Sequence, residues 1–188
     1  MARPQQFDRD QVLDAAVAVF RQHGFEGSSA AALVSAMRIG RQSLYNSFGD
    51  KWQLYQEAVR RYAAAETEAH LAALRRGPRA VDGIRHFLER VVETARETCL
   101  GVSSICEFGT SRTDLAKIHE CFGRVLRDAL MARMRQAQCE GDLSSDIDTG
   151  DAAAFLIATV AGIRVSARGG ADRATLAAVA RAALRGLR

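Results

Sequence analysis

The chain has 188 residues, 48% of them hydrophobic, with a formal net charge of +4. That apolar content suffices for a packed core and excludes extended disorder, while the modest positive balance permits anionic partners without demanding them. With only two prolines, an excess of Ala, Leu and Arg and few β-branched runs, the composition predicts an all-α fold.

The first helix is punctuated at both ends. Asp8 with Gln11 three residues on resembles a capping box, Val12, Ala16, Val19 and Phe20 form one apolar stripe, and Gly24 stops the helix. Ser28 and Ser29 offer capping hydroxyls for a second short helix through about Ala36. A turn containing Gly40 follows, and a third helix runs from Arg41 to Phe48, ended by Gly49. Leu44 and Phe48, four apart, face inward and leave Arg41, Gln42, Ser43, Tyr45 and Asn46 outside. Asp50 caps a longer fourth helix that begins near Lys51 and ends before Gly77-Pro78.

Beyond that point the spacing predicts a helix over roughly 80–100, a short irregular piece at 101–112, and a long helix over 113–139. "EGDLSSDIDTGD" reads as a loop, followed by two final helices at 149–168 and 172–187 separated by Gly169-Gly170. The N-terminal residues show no apolar stretch of signal-peptide type, and no window approaches the roughly 20 apolar residues of a membrane span, so a cytoplasmic location without a membrane partner is expected. The four cysteines, Cys99, Cys106, Cys121 and Cys139, are not spaced as CxxC pairs, which argues against a disulfide framework or structural zinc; no metal or cofactor site is indicated.

Three short helices, the last two joined by a turn of about four residues and the third carrying donors on its outer face, constitute a helix-turn-helix pattern. A helix fits the major groove, where Arg pairs with guanine O6 and N7, Asn or Gln with adenine N6 and N7, and Ser or Tyr with phosphate oxygens. Through residue 52 there are six Lys or Arg against five acids, so this reading rests on where charges are placed and not on their sum. The plainer alternative is an ordinary surface helix whose polar residues are simply solvated.

The stretches "QVLDAAVAVFRQHGFEGSS" and "LVSAMRIGRQSLYNSFGDKWQLY" resemble the DNA-binding half of the TetR family of bacterial transcriptional regulators, above all in GF-x-G-S-S and SLY-x-x-F-x-x-K. The similarity covers about residues 7–60; the last two helices also look like those of many members, and residues 80–140 match in outline. The resemblance implies a helix-turn-helix DNA-binding domain over 1–50 joined to a larger helical effector-binding and dimerisation domain over 51–188, with 51–76 as the connector and about nine helices in all. It implies that Ser29 caps the second helix near a phosphate, that Arg41, Gln42, Ser43, Tyr45 and Asn46 read DNA, and that Lys51 contacts phosphate at a helix start. The chain departs from the pattern at Met37, Arg38 and Gly40, where many members have small residues, glycine, or Ser and Thr. A left-handed Arg38 would carry strain on the order of 1 kcal/mol.

By the same resemblance the last two helices pair across a two-fold axis, with Leu156, Val160, Ile163, Leu176, Val179, Ala183 and Leu187 supplying apolar faces; the alternative is that these faces complete a monomer's core. An effector pocket is implied inside the helical body, with Phe87, Cys106, Phe108, His119 and Phe122 as candidate contacts. His119 shares a helix side with Leu115 and Phe122 and needs a hydrogen-bond partner there, which a satisfied core histidine would also have.

The expected function is therefore a homodimeric repressor that binds double-stranded, pseudo-palindromic operator DNA and is released by a small-molecule effector. The alternative is a thiol-based redox or electrophile sensor using Cys106 or Cys99, against the commoner role of cysteine as a small hydrophobe. An enzyme is not expected. GxSxG, HExxH and phosphate-cradling glycine loops are absent from the sequence, and His119 and Cys121 are two apart on a predicted helix, facing different directions. A sequence-indifferent architectural DNA-binding protein is the remaining competitor, distinguished by equal affinity for scrambled and operator DNA.

Overall fold

The computed structural model describes residues 7–188, so Arg3, counted among the N-terminal cations, lies outside the described part. The described residues form nine helices: α1 Arg9–His23, α2 Ala30–Met37, α3 Arg41–Phe48, α4 Lys51–Leu74, α5 Ala80–Glu93, α6 Leu100–Phe108, α7 Thr113–Cys139, α8 Thr149–Arg168 and α9 Arg173–Arg185. The described residues divide into two compact units, one of 7–64 with 100–119, the other of 65–99 with 120–188, so that both α4 and α7 are shared between units.

In the first unit, sequence-local chemistry sets the helix ends. Asp8 accepts the Asp10 N–H at 2.9 Å to begin α1, and Ser29 Oγ accepts the Ala32 N–H at 3.1 Å to begin α2. Asp50 Oδ1 accepts the Gln53 N–H at 2.8 Å at the start of α4. Val12, Ala16 and Phe20 of α1, Leu33 and Met37 of α2, Leu44 and Phe48 of α3, and Leu54, Tyr55, Ala58 and Val59 of α4 are buried. An aromatic cluster continues this core: Phe25, Trp52, Tyr55 and Phe108 meet mostly edge-on at centroid distances of 4.9–5.7 Å, with Phe20 against Tyr55.

In the second unit, α5, α8, α9 and the C-terminal half of α7 enclose Phe87, Leu88, Val91, Leu130, Met134, Leu156 and Ile163. A charge cluster lies inside it. Glu66 receives two hydrogen bonds from Arg90, at 3.0 and 3.1 Å, and one from the buried Arg164, while His70 Nε2 lies 3.3 Å from the same carboxylate. Burial pushes the His70 imidazole down to about 4, so it is neutral at pH 7 beside the two guanidiniums.

Two expectations are corrected. The helix placed over roughly 80–100 stops at Glu93, where Thr94 leaves helical geometry. The piece taken as irregular is helical from Leu100 to Phe108, and Ser104 Oγ bonds back to the Gly101 carbonyl at 2.9 Å within it. By length and composition alone α8 would suffice to cross a membrane, with a mean hydropathy of 1.4 over its best window, of which 28% is buried. Its Arg164 is ion-paired inside the unit and its Leu156 and Ile163 lie in the core, while Phe155 and Val165 leave one apolar side open.

Candidate nucleic-acid interface

The recognition edge is built by a helix of only eight residues held at both ends and underneath. Leu44 and Phe48 are buried at 2% and 3% exposure, anchoring α3 to α1 and α2. Gly40 opens the helix without a side-chain cap, leaving first-turn N–H groups of α3 without a side-chain acceptor. Arg9 clips its far end: one nitrogen donates to the Ser47 carbonyl at 2.8 Å, the other bonds both Glu57 oxygens at 2.7 and 2.8 Å, and the guanidinium lies 4.4 Å from the centre of the Phe48 ring.

On this support Arg41, Gln42, Tyr45 and Asn46 are exposed and Ser43 is half-buried. Gln42 Nε2 donates to Asn46 Oδ1 at 3.1 Å, the (i, i+4) pairing that pre-orients two amides on one face. Arg41 lies over the Tyr45 ring at 5.9 Å. Arg38, whose left-handed backbone (φ 53°, ψ 35°) ends α2, is the only non-glycine residue with positive φ among the described residues. Arg38 thus closes the turn in a conformation that glycine adopts without cost.

Ser29 and Lys51 flank this edge in the chain. Ser29 Oγ accepts a backbone bond as the α2 cap, which leaves its hydroxyl hydrogen available to a phosphate oxygen. Lys51 Nζ lies 4.3 Å from the centre of the Phe25 ring, and the carboxylate of Asp50 serves the same helix start. Lys51 must therefore leave, or share, a cation–π contact to meet a phosphate.

Sequence reading missed two residues that position this head. Arg9 is one. Glu107 of α6 is the other: its oxygens accept the N–H groups of Phe25 and Glu26 at 3.2 and 3.1 Å, so an α6 carboxylate holds the turn between α1 and α2. Beside it, Trp52 donates to Asp114 at 2.7 Å, and this bond holds the Asp114 carboxyl below the usual range. Partners 82 and 62 residues apart leave no local signal in a sequence.

The candidate effector residues divide between the units. Cys106 and Phe108 on α6 and His119 on α7 belong to the first, Phe87 and Phe122 to the second. Phe87 is fully buried against the His70 ring, at 5.0 Å, and Phe108 belongs to the aromatic cluster. His119 Nε2 lies 2.9 Å from Ser104 Oγ, and burial lowers its proton affinity, which matches a satisfied, neutral imidazole. Cys106 is exposed and Cys99 half-exposed, both as free thiols. Of the candidate dimer residues, Leu156, Ile163, Leu176, Ala183 and Leu187 lie in the unit's own core, Val160 is half-buried and Val179 is exposed at 41%. The outward side of α8 carries Phe155, Ala158, Gly162 and Val165 instead, with Phe155 and Val165 exposed at 48% and 54%.

Residues 12–58 match the family described as bacterial regulatory proteins, tetR family. The chain is 30% identical over 151 residues to YezE, an uncharacterized HTH-type transcriptional regulator of Bacillus subtilis, covering 78% of each protein. It is 28% identical to the HTH-type transcriptional repressor ComR of Escherichia coli, over 97% of this chain and 90% of that one. Among solved structures it superimposes, with a TM-score of 0.85 and 31% identity over the full length of both chains, on a cysteine mutant of the TetR family regulator CifR complexed with a 26-base-pair operator duplex. The exposed donor edge of α3, the three-helix support beneath it and these likenesses establish one identity: the chain belongs to the TetR family of DNA-binding transcriptional regulators.

Proposed function

We propose that this regulator is a homodimeric, cytoplasmic repressor that binds a pseudo-palindromic operator through α3 and leaves it when an effector is bound. Residues 1–50 are the DNA-binding domain and 51–188 the effector-binding and dimerisation domain. The observation that carries the reading is the exposed row Arg41, Gln42, Tyr45 and Asn46 above the buried Leu44 and Phe48. The complex of the CifR variant with operator duplex supports it by similarity. One head contacts one half-site, and a second copy placed across a two-fold axis contacts the other, about 34–36 Å away.

The proposed dimer face is the outward side of α8 and α9, where Phe155, Ala158, Gly162, Val165 and Val179 form an uncharged surface; small residues there let two helices approach closely. Release requires an effector that favours a state with the wrong separation of the two heads, because equal affinity for both states shifts nothing. The proposed routes to the head are α4, which begins at Lys51, and α6, whose Glu107 holds the α1–α2 turn. Cys106, Phe108 and His119 are the candidate effector contacts beside that route, with Phe87 and Phe122 as candidates in the other unit.

The test is a set of binding titrations at several salt concentrations on a preferred duplex and on a scrambled one. Arg41→Ala should weaken binding to the preferred duplex by about 1–3 kcal/mol and leave the scrambled one nearly unchanged. Lys51→Ala should weaken both alike and lower the salt slope by about 1. Unchanged binding in both variants would remove α3 from the interface.

One observation favours a second reading, in which oxidant or electrophile is the signal: the exposed Cys106 directly precedes Glu107, the clamp on the head. Peroxide should then release DNA from the wild type and not from Cys106→Ser, with recovery on adding thiol. Equal release in both proteins contradicts it.

A further inference from the structure

A groove of about 850 Å³ opens between α5 and α9 in the second unit, away from every residue assigned above. Leu88 and Val92 of α5 with Ala177, Ala180 and Leu184 of α9 give it an apolar floor. Arg173, Arg181, Arg185 and Arg188 line its α9 side. Steps of eight and four residues keep Arg173, Arg181 and Arg185 on one flank of α9, a row of roughly 18 Å at 1.5 Å per residue, and Arg188 follows just beyond the helix end. Arg85, on the α5 side, is held by Asp82 at 2.7 Å; the four arginines of the α9 side have no acid partner among the described residues.

A row of unpaired guanidiniums above buried methyl groups is chemically specific. The arginine stems extend the floor while the planar heads remain free to grip a carboxylate or phosphate through paired hydrogen bonds. The volume falls within the range of small-molecule sites, roughly 300–1,000 Å³. Glu89 and Glu93, one turn apart, line the α5 wall. A polyanion, whether nucleic acid or an acidic partner helix, would lie against both walls and meet these carboxylates, whereas a ligand with a single anionic head needs only the α9 wall.

We propose that this groove binds a single-headed anionic amphiphile, its aliphatic or aromatic body on the Leu88–Leu184 floor and its carboxylate or phosphate between Arg181 and Arg185. On α9 the exposed Val179, named above for the pairing of subunits, lies on the flank opposite Arg181.

The experiment is calorimetric titration of the full chain, below micelle-forming concentrations, with dodecanoate and dodecyl phosphate as the two anionic probes, dodecyltrimethylammonium as the cationic counterpart, and an acidic amphipathic peptide. The expected result is saturable binding of at least one anionic probe and no binding of the cation. The double variant Arg181→Glu with Arg185→Glu should weaken that binding at least tenfold. Ala177→Trp, which fills the floor, should abolish it, and Glu89→Gln with Glu93→Gln should tighten it several-fold. The proposal is overturned if anion and cation bind alike, if charge reversal leaves anion binding unchanged, if the acidic peptide binds more tightly than both anionic probes, or if charge reversal changes only the oligomeric state. DNA affinity, measured in parallel, separates failure of this site from failure of the DNA-binding reading.

Discussion

At the scale of single residues, the head depends on a few side chains whose roles differ in kind. Leu44 and Phe48 hold α3 by burial, Arg9 ties the end of that helix to α4 through Glu57, and Arg41, Gln42, Tyr45 and Asn46 are left free of the core. Arg38 sets the turn that aims α3. At φ 53° a residue with an unbranched Cβ is tolerated at a cost of about 1 kcal/mol, whereas a β-branched one clashes more severely. Arg38→Val should therefore lower unfolding free energy by about 1–2 kcal/mol, and Arg38→Asn by less than 0.5 kcal/mol, because asparagine visits this region readily. Denaturant midpoints of the two variants check this. Equal loss in both would mean that the side chain of Arg38, and not its backbone, supports the turn.

At the scale of elements, legibility followed the punctuation. The bounds of α3 could be read because Gly40 and Gly49 bracket it and Leu44 and Phe48 recur at four. The end of α5 and the helical character of α6 could not: Gly101, Ser103 and Ser104 blur the apolar period, and α6 is held by Glu107 and Phe108 against residues far away in sequence. In α8 and α9 the difficulty is different. Both sides of these alanine-rich helices are apolar, so periodicity selected Leu156, Ile163 and Leu176, which face the chain's own core, over Phe155 and Val165, which face out. The outward side makes the stronger test of pairing. Phe155→Glu should weaken self-association at least tenfold, about 1.4 kcal/mol or more, while leaving the buried Leu156 and Ile163 undisturbed. Sedimentation velocity over a concentration series measures it, and an unchanged dimer would place the interface elsewhere.

At the scale of the whole molecule, stability should carry the signature of its buried charge cluster. His70 binds its proton at about 4 in the folded state, against an ordinary 6.5. The unfolded chain therefore takes up a proton first as pH falls, and stability decreases from about pH 6.5 to 4, by at most about 3 kcal/mol. Carboxylates held low by partners, Glu66 and Asp14, begin to add their losses as pH falls to their ordinary values of 4.5 and 3.8, so the His70 contribution is isolated by comparison with a His70 variant. Denaturant unfolding at pH 7 and 4.5, at fixed protein concentration, should show a smaller loss for His70→Gln than for the wild type; an identical loss would assign the pH response to other groups. The central claim, that the α3 edge reads DNA and is presented twice, is tested most directly by selecting the full-length protein's ligands from a randomised duplex library and sequencing them. The account predicts an inverted repeat with half-site centres about 34–36 Å apart, with preference lost at one position of each half-site in Arg41→Ala. Recovery of no repeat, or a repeat unaltered by Arg41→Ala, would contradict it.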